Sequence, residues 1–375
     1  MMKAEPKGLY VHIPFCVKKC NYCDFCSFSD IDKETREAYI SRLVSEIKSY
    51  KQEKPIPLDT VFFGGGTPSL LTPDEFYSVA EAIAESFDIS AVREFTLEAN
   101  PKTVTLKKLL SFKSCGVNRI SIGMQSIHEN ELKILGRIHN YREFLETYEL
   151  AFSSGISNVN VDVMYGIPEQ TEDSFRKTLD AVVSLNPSHI SAYGLILEEN
   201  TRFFVMREKL NFPTEDAECD MYAYACEYLR ENGYRHYEIS NYAREGQESL
   251  HNTRYWRCGE YIGVGAAAHS YLNGKRYANT QNLSEYLSLK NGQYTYEETL
   301  TVSDMESEFV MLGLRLADGI SLTEYKRKFG REFISGREAE INRYINAGYM
   351  TLISDRIALT ERGFYVSNTI LGNLI

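Results

Sequence analysis

The chain has 375 residues, with 41 Lys and Arg against 52 Asp and Glu and a formal charge of −11. Its 43% hydrophobic and 25% charged content is that of a globular protein long enough for one large domain and a smaller one, which excludes a disordered or low-complexity chain. The acidic balance argues against sequence-independent nucleic-acid binding, which rests on basic patches.

No apolar run approaches a membrane span, and the stretch from Met1 to Gly8 has no apolar leader. A cytoplasmic protein is expected, with weak association to a membrane surface left open. In a reducing compartment the eight cysteines read as ligands or buried thiols, not disulfides. Four of them fall between Cys16 and Cys26; Cys115, Cys219, Cys226 and Cys258 are scattered and read as structural.

The first predicted strand is Leu9–Ile13. A loop with Cys16, Cys20 and Cys23 in a C-x3-C-x2-C spacing follows it directly. Such a loop can wrap three thiolates around one inorganic centre. A cubane iron–sulfur cluster normally takes four, so three would leave one iron open to a non-protein ligand. Structural zinc usually draws ligand pairs from separated segments, and a metal-free thiol cluster is hard to explain by chance, so the cubane fits the spacing best. Cys26 follows Cys23 at the same x2 spacing, which leaves a four-ligand arrangement open.

Helix Lys33–Lys51 and strand Thr60–Phe63 lead to Gly64-Gly65-Gly66-Thr67-Pro68, a glycine turn at a strand end that exposes backbone N–H groups. It lacks the Lys-Ser/Thr ending of a phosphate-cradling loop. The pattern then alternates: helix Pro73–Phe87, strand Glu94–Glu98, helix Leu106–Cys115, strand Arg119–Gly123, helix Glu129–Ser153, strand Val159–Met164, helix Glu172–Leu185, strand His189–Ile196 and helix Asp216–Asn232. Six strand–helix units predict a parallel sheet in a partial TIM-type (β/α)6 barrel, whose active face lies at the C-terminal strand ends. The cysteine loop, the glycine turn, Glu98, Gln125, Arg137 and Asp162 all fall near that rim. Each alone reads as a hydrogen-bonded rim residue. Together they could hold the ribose, carboxylate and amine of a nucleoside-type cofactor.

The segment His251-Asn252-Thr253-Arg254-Tyr255-Trp256-Arg257 holds the only Trp. An imidazole beside flat rings and cations would suit a porphyrin, but composition alone favours a structural His and a core Trp. Beyond about residue 290, helices Met305–Ala317, Leu322–Lys328 and Arg337–Ala347, a hairpin over Leu352–Leu359 and a helix from Thr360 suggest a small helical, winged-helix-like domain. The division expected is residues 1–290 and 291–375, the second part acting as a packing or lid module.

With these motifs in place the chain resembles the radical S-adenosylmethionine (SAM) superfamily, whose signature is the C-x3-C-x2-C loop. Within it, the resemblance to the oxygen-independent coproporphyrinogen III oxidase group covers almost the whole chain. It is carried by Tyr10–Cys16, Gly64–Pro68, Glu98–Pro101, Gly123–Ser126, Leu135–Arg137 and Val161–Pro168. It implies a [4Fe-4S] cluster on Cys16, Cys20 and Cys23. It also implies a SAM pocket lined by Tyr10, Tyr22, Gly65, Gly66, Thr67, Glu98, Gln125, Arg137 and Asp162.

That group contains an oxidase and a heme-chaperone branch. The oxidase resembles C-x3-C-x2-C-x-C, whereas here Phe25 occupies the last position. His251-Asn252-x-x-Tyr255-Trp256 matches the H-N-x-x-Y-W motif associated with heme binding in the chaperone branch, which reverses the reading from composition. The chaperone branch implies heme as the cargo, His251 as its candidate iron ligand and an acceptor hemoprotein as partner. Turnover of a porphyrinogen is then not expected, with SAM cleavage left open. The rivals are a coproporphyrinogen III dehydrogenase and a radical SAM enzyme acting on another substrate.

Overall fold

Polar caps start the long helices of the first part of the chain. Asp32, Thr72, Thr105, Asn140, Thr171 and Thr214 each accept a backbone N–H from the residue three positions on, satisfying a donor that the first turn leaves orphaned. They open helices Lys33–Lys48, Pro73–Ser86, Leu106–Ser114, Tyr141–Ser153, Glu172–Leu185 and Glu215–Glu231. The structure is a computed structural model and describes residues 5–375. Residues 1–4 of the stretch read above for a leader lie outside the described part.

Between these helices run β1 (Lys7–Ile13), β2 (Ile56–Gly65), β3 (Glu94–Ala99), β4 (Arg119–Gln125), β5 (Asn158–Tyr165) and β6 (His189–Gly194). Each pairs in parallel with the next. Val11, Phe63, Leu97, Ile122, Val161 and Ile190 are buried along them, the near-continuous apolar pattern of strands covered on both faces. The expected order of parallel strands and outer helices is therefore present.

Two features were not expected. The region after residue 232 is rich in strands: β7 (Arg235–Glu238), β8 (Asn241–Ala243), β9 (Tyr261–Val264), β10 (His269–Leu272), β11 (Lys275–Ala278) and β12 (Tyr296–Thr299). β9 is a seventh parallel strand, paired with β1, and β10 to β12 extend that edge antiparallel. The order is β12-β11-β10-β9-β1-β2-β3-β4-β5-β6-β8-β7, and its ends do not pair with each other among the described residues. The barrel is thus partial.

The second feature is a break in the long helix expected over Glu129–Ser153. It is two helices, Glu129–Leu135 and Tyr141–Ser153. Gly136 ends the first in a left-handed conformation at φ 78°, which glycine adopts without a Cβ penalty. The cysteine loop docks on this break: Asn21 donates its backbone N–H to Leu135 O at 2.9 Å and its amide to Ile134 O at 2.8 Å. The break frees Arg137 from the helix and turns it toward the loop.

In the C-terminal part, helices Val302–Gly313, Leu322–Phe329, Glu338–Asn346, Glu361–Tyr365 and Ser367–Leu374 surround a three-stranded sheet. Its hairpin strands are Met350–Ile353 and Arg356–Leu359. This part meets the barrel through Ile239 N–H to Arg315 O at 3.0 Å and Ala317 N–H to Tyr237 O at 3.0 Å. An ion pair between Arg230 and Glu361 at 2.8 Å lies on the same boundary.

Candidate cluster and cofactor site

Cys16, Cys20 and Cys23 line one cavity at the C-terminal ends of the parallel strands. The loop is held at both ends. Cys16 N–H bonds Phe28 O at 2.9 Å and Phe28 N–H bonds Pro14 O at 2.7 Å, which closes the loop on itself. Cys23 N–H bonds Cys20 O at 3.3 Å, a tight turn that keeps the last two thiols on the same side. Cys26 lines a different cavity, and its thiol donates to Gln281 O at 3.4 Å. The arrangement is therefore three thiols and one bystander.

Burial pushes the Cys16 and Cys23 thiols up from their ordinary range. The site does not generate free thiolates by itself, as a thiol-based catalyst would need. A bound metal centre would supply the missing positive charge, because a coordinating thiol is deprotonated outright. The donor set fits a metal cluster better than reactive thiols.

The facing wall comes from the strand ends. Tyr22, Gly65, Gly66, Thr67, Glu98, Gln125, Arg137 and Asp162 line the same cavity as the three cysteines. Thr67 Oγ1 lies 3.5 Å from Cys16 Sγ. Gly65 N–H donates to Glu98 Oε2 at 3.1 Å. Gly65 sits at φ 110°, and a Cβ on Gly66 would lie 2.8 Å from Phe15 O and 2.9 Å from Ile13 O, so both positions demand glycine. Gln125 also adopts a left-handed φ of 69°, at an irregularity in the pairing of β4 with β5. A β-bulge of this kind re-aims a side chain beside a site.

Arg137 organises the wall. Its Nη2 donates to Asn100 Oδ1 and to Gly123 O, each at 2.6 Å, and its Nη1 lies 3.6 Å from Cys20 Sγ. Its buried Nε has no partner. A buried donor without an acceptor is costly, so this atom marks a place for a further oxygen such as a ligand carboxylate.

Glu98 and Asp162 sit half-buried on the cavity floor. Burial, with the Asp162 charge behind it, pushes Glu98 up to about 7. Burial also raises Asp162, opposed by hydrogen bonds from Asn160, Ser191 and Ser121. Two carboxyl groups that resist ionising together are suited to a ligand bearing hydroxyls or an ammonium.

Asn100 and Ser121 also line the cavity, and the sequence reading did not place them there. Asn100 bridges Thr67 Oγ1 at 2.8 Å to Arg137. Its signal was present, since it follows Glu98 by two positions at a strand end before Pro101. Ser121 lies inside a strand and donates to Asp162 at 3.1 Å, which no local pattern announces.

Tyr10 and the heme-ligand candidate His251 do not line this cavity, though a Cβ on Gly64 would lie 3.0 Å from the Tyr10 ring and 3.1 Å from Glu98 Oε2, so Tyr10 adjoins its wall. Tyr10 lines a neighbouring cavity of about 490 Å³, with its hydroxyl 3.0 Å from His12 Nδ1. His251 is fully buried. Its Nδ1 lies 2.9 Å from Thr60 Oγ1 and its Nε2 2.7 Å from Tyr255 OH, while Phe62 stacks on the ring at 5.1 Å. Burial, helped by Arg254 and Arg119, pushes its imidazole down to about 3, so it is neutral. Both ring nitrogens have hydroxyl partners in this arrangement. The candidate ligand His251 is therefore a buried residue of the heme-free chain, held where Glu94 accepts the backbone N–H groups of Leu250 at 2.6 Å and His251 at 3.3 Å at the helix start. Trp256 of the same motif packs toward the C-terminal part, with Arg315 5.7 Å from its ring.

The pattern of the Radical SAM superfamily matches residues 10–182, and that of the HemN C-terminal domain matches residues 300–366. Heme chaperone HemW of Lactococcus lactis is 35% identical over 372 residues, covering 98% of this chain and 97% of the relative. Heme chaperone HemW of Escherichia coli is 34% identical over 379 residues, covering 99% and 98%. The chain belongs to the HemW family. The vertebrate relative in Danio rerio is Radical S-adenosyl methionine domain-containing protein 1, mitochondrial, 33% identical over 99% of this chain and 87% of its own length.

Among solved structures, Escherichia coli coproporphyrinogen III oxidase (HemN), a radical SAM enzyme, superposes with a TM-score of 0.84 at 22% identity, covering 98% of this chain and 90% of that one. That likeness establishes the radical SAM fold for this HemW-family chain. A radical SAM domain implies a [4Fe-4S] cluster and SAM, and the three-thiol cavity with its open wall fits both. No helix of the described residues is long and apolar enough to cross a membrane.

Proposed function

We propose that the protein is a heme chaperone: it binds heme and hands it to an acceptor hemoprotein. In this reading Cys16, Cys20 and Cys23 hold a [4Fe-4S] cluster, and SAM exchanges in the cavity walled by Tyr22, Gly65, Gly66, Thr67, Glu98, Gln125, Arg137 and Asp162. Tyr10, whose ring adjoins Gly64 beside Glu98, would complete that wall. The observation that carries the reading is full-length kinship to relatives named for heme delivery, in a chain whose loop has Phe25 where the oxidases have a further cysteine.

When bound, the cluster supplies an electron and an open iron to the sulfonium cofactor. The chain's own residues do the positioning. Arg137 offers its unpaired Nε to a carboxylate, Glu98 and Asp162 offer acceptors to hydroxyls, and the backbone at Gly65 and Gly66 permits close approach. Residues 1–290 would form the barrel with its strand-rich extension, and residues 291–375 a module packed against it.

The test is a heme titration of anaerobically reconstituted protein, followed by mixing with an apo-hemoprotein. A stoichiometric heme spectrum that moves to the acceptor is expected. Absence of heme binding refutes the chaperone reading, and conversion of coproporphyrinogen III with SAM and reductant would establish the oxidase instead.

A further inference from the structure

A row of buried polar side chains lies behind the Asp162 carboxylate. Parallel pairing sets Ser121 of β4 opposite Asn160 of β5, and Asn160 opposite His189 of β6. Asp162 is two residues beyond Asn160 on the same strand, so the period-two alternation puts both side chains on one face. Ser121, Asn160, His189 and Ser191 are buried, His189 completely.

The hydrogen bonds of this row run in one direction. Asn160 Nδ2 donates to Asp162 Oδ1 and to Ser121 Oγ, each at 2.7 Å, and Ser121 passes its own hydrogen to Asp162 Oδ2 at 3.1 Å. Both amide hydrogens are therefore spent on Asp162 or on its support. A reversed amide would set its oxygen against the carboxylate, so Oδ1 faces the other way. There it lies 2.6 Å from His189 Nδ1 and takes a hydrogen from it. His189 Nε2 is then the acceptor of the Tyr237 hydroxyl at 2.8 Å, and the Tyr237 oxygen accepts the Ser249 N–H at 3.2 Å. Burial, with the Arg119 charge behind it, holds the imidazole well below its ordinary range and keeps it neutral.

The far end of the row is anchored in regular elements. Tyr237 belongs to β7, and Ser249 caps helix Leu250–Trp256. Ser191 also donates to Asn160 Oδ1, at 3.1 Å, but a hydroxyl can follow an amide that turns. An imidazole fixed at both nitrogens cannot. Asp162 thus meets the cavity with a carboxylate held in one orientation by groups that do not themselves line the cavity beyond Ser121.

We infer that His189 is a positioning residue for SAM: through Asn160 it aims Asp162 at the hydroxyls of the cofactor's ribose. This rests on the SAM reading of the cavity above. The test measures, by calorimetry on the cluster-loaded full chain, the affinity for SAM and for its dideoxyribose analogue, which lacks both ring hydroxyls. Wild type should prefer SAM roughly 10- to 150-fold, the worth of a hydrogen bond to a charged group. His189→Leu removes the Nδ1 donor and should lose most of that ratio by weakening SAM alone, while His189→Asn, whose amide can still donate to Asn160, should keep most of it. Circular dichroism shows whether each variant is folded. Equal weakening of both ligands marks a merely structural role and overturns the inference. A folded His189→Leu variant with the wild-type ratio overturns it too, as does a wild type that does not distinguish the ligands, and each leaves the SAM reading standing. If His189→Leu does not fold, nitrogen NMR of histidine-labelled wild type decides: His189 should stay neutral with its hydrogen on Nδ1 from about pH 5 to about pH 8, and an Nε2-protonated or titrating ring overturns the inference. Wild type that binds neither ligand overturns the SAM reading and the inference with it.

Discussion

Glu46 is the buried group on which the strand-rich extension depends. It lies on helix Lys33–Lys48 with 3% of its surface exposed. Oε2 accepts the Gly265 N–H at 3.1 Å and the Tyr286 hydroxyl at 2.6 Å, and Oε1 accepts the Asn279 amide at 2.7 Å. Gly265 opens the turn between β9 and β10 at φ 99°, where a Cβ would meet His12 O at 2.6 Å. One carboxylate therefore pins helix, turn and strand together. Glu46→Ala orphans the Gly265 N–H and the Tyr286 hydroxyl at about 1–3 kcal/mol each and removes one of the two bonds of the Asn279 amide, which keeps Gly265 O at 2.8 Å, at about 1 kcal/mol, so the expected cost is about 3–7 kcal/mol. Glu46→Gln keeps one acceptor oxygen but opposes an NH2 to a donor, so about 1–2 kcal/mol is expected. Urea unfolding of the heme-free protein followed by circular dichroism reads both. Hydrogen exchange should accelerate over residues 265–269 in each variant. A Glu46→Ala variant within about 0.5 kcal/mol of wild type, with unchanged exchange there, would refute the argument.

Glu98 titrates near 7 when folded against an ordinary 4.5, so the native state binds the extra proton between those values. Its contribution to stability then falls as pH rises from about 4.5 to about 7; the stability of Glu98→Gln relative to wild type should rise over that window, and a flat difference would contradict it. Arg137→Lys replaces a fork with one ammonium that cannot serve Asn100, Gly123 and Cys20 together, so SAM affinity by calorimetry should fall roughly 10- to 100-fold. Gly66→Ala forces a Cβ against two backbone carbonyls at 2.8 and 2.9 Å, so iron and sulfide content after reconstitution should fall well below wild type; full loading would mean that the loop yields.

The six barrel strands were legible because each is an apolar run flanked by capped helices. The break at Gly136 was not, because helical periodicity continues across it and only the left-handed φ and the docking of Asn21 explain it. The hairpin at Asn273-Gly274 carried a readable signal, an Asn-Gly pair with both φ positive at 52° and 73°. β9 carried none: it is short and contains Gly263, which is there for a close crossing of strands. The cysteines and strand-end polar groups were legible as one site because they follow strands in a parallel sheet. The status of His251 was not, because its partner Thr60 is 191 residues away and burial is a property of the fold.

Phe25 lines both cavities, and it stands at the point where cluster and cargo would meet. On one side of its loop Cys20 and Cys23 face the cluster site. On the other, Cys26 O is held by His12, which is held by Tyr10, and all three residues line the second cavity. SAM in the first cavity would contact Tyr22 and the loop, and the same segment forms the wall of the second. Two sites that share a wall are coupled by the free energy of ordering it, and the coupling is reciprocal. Heme affinity measured with and without saturating SAM should therefore differ, and SAM affinity with and without heme should differ by the same factor, on the order of 5- to 150-fold. Phe25→Ala should shrink that factor without removing either binding event. Equal heme affinities in the two conditions would mean that the loop is already rigid, and that the shared wall separates the sites without connecting them.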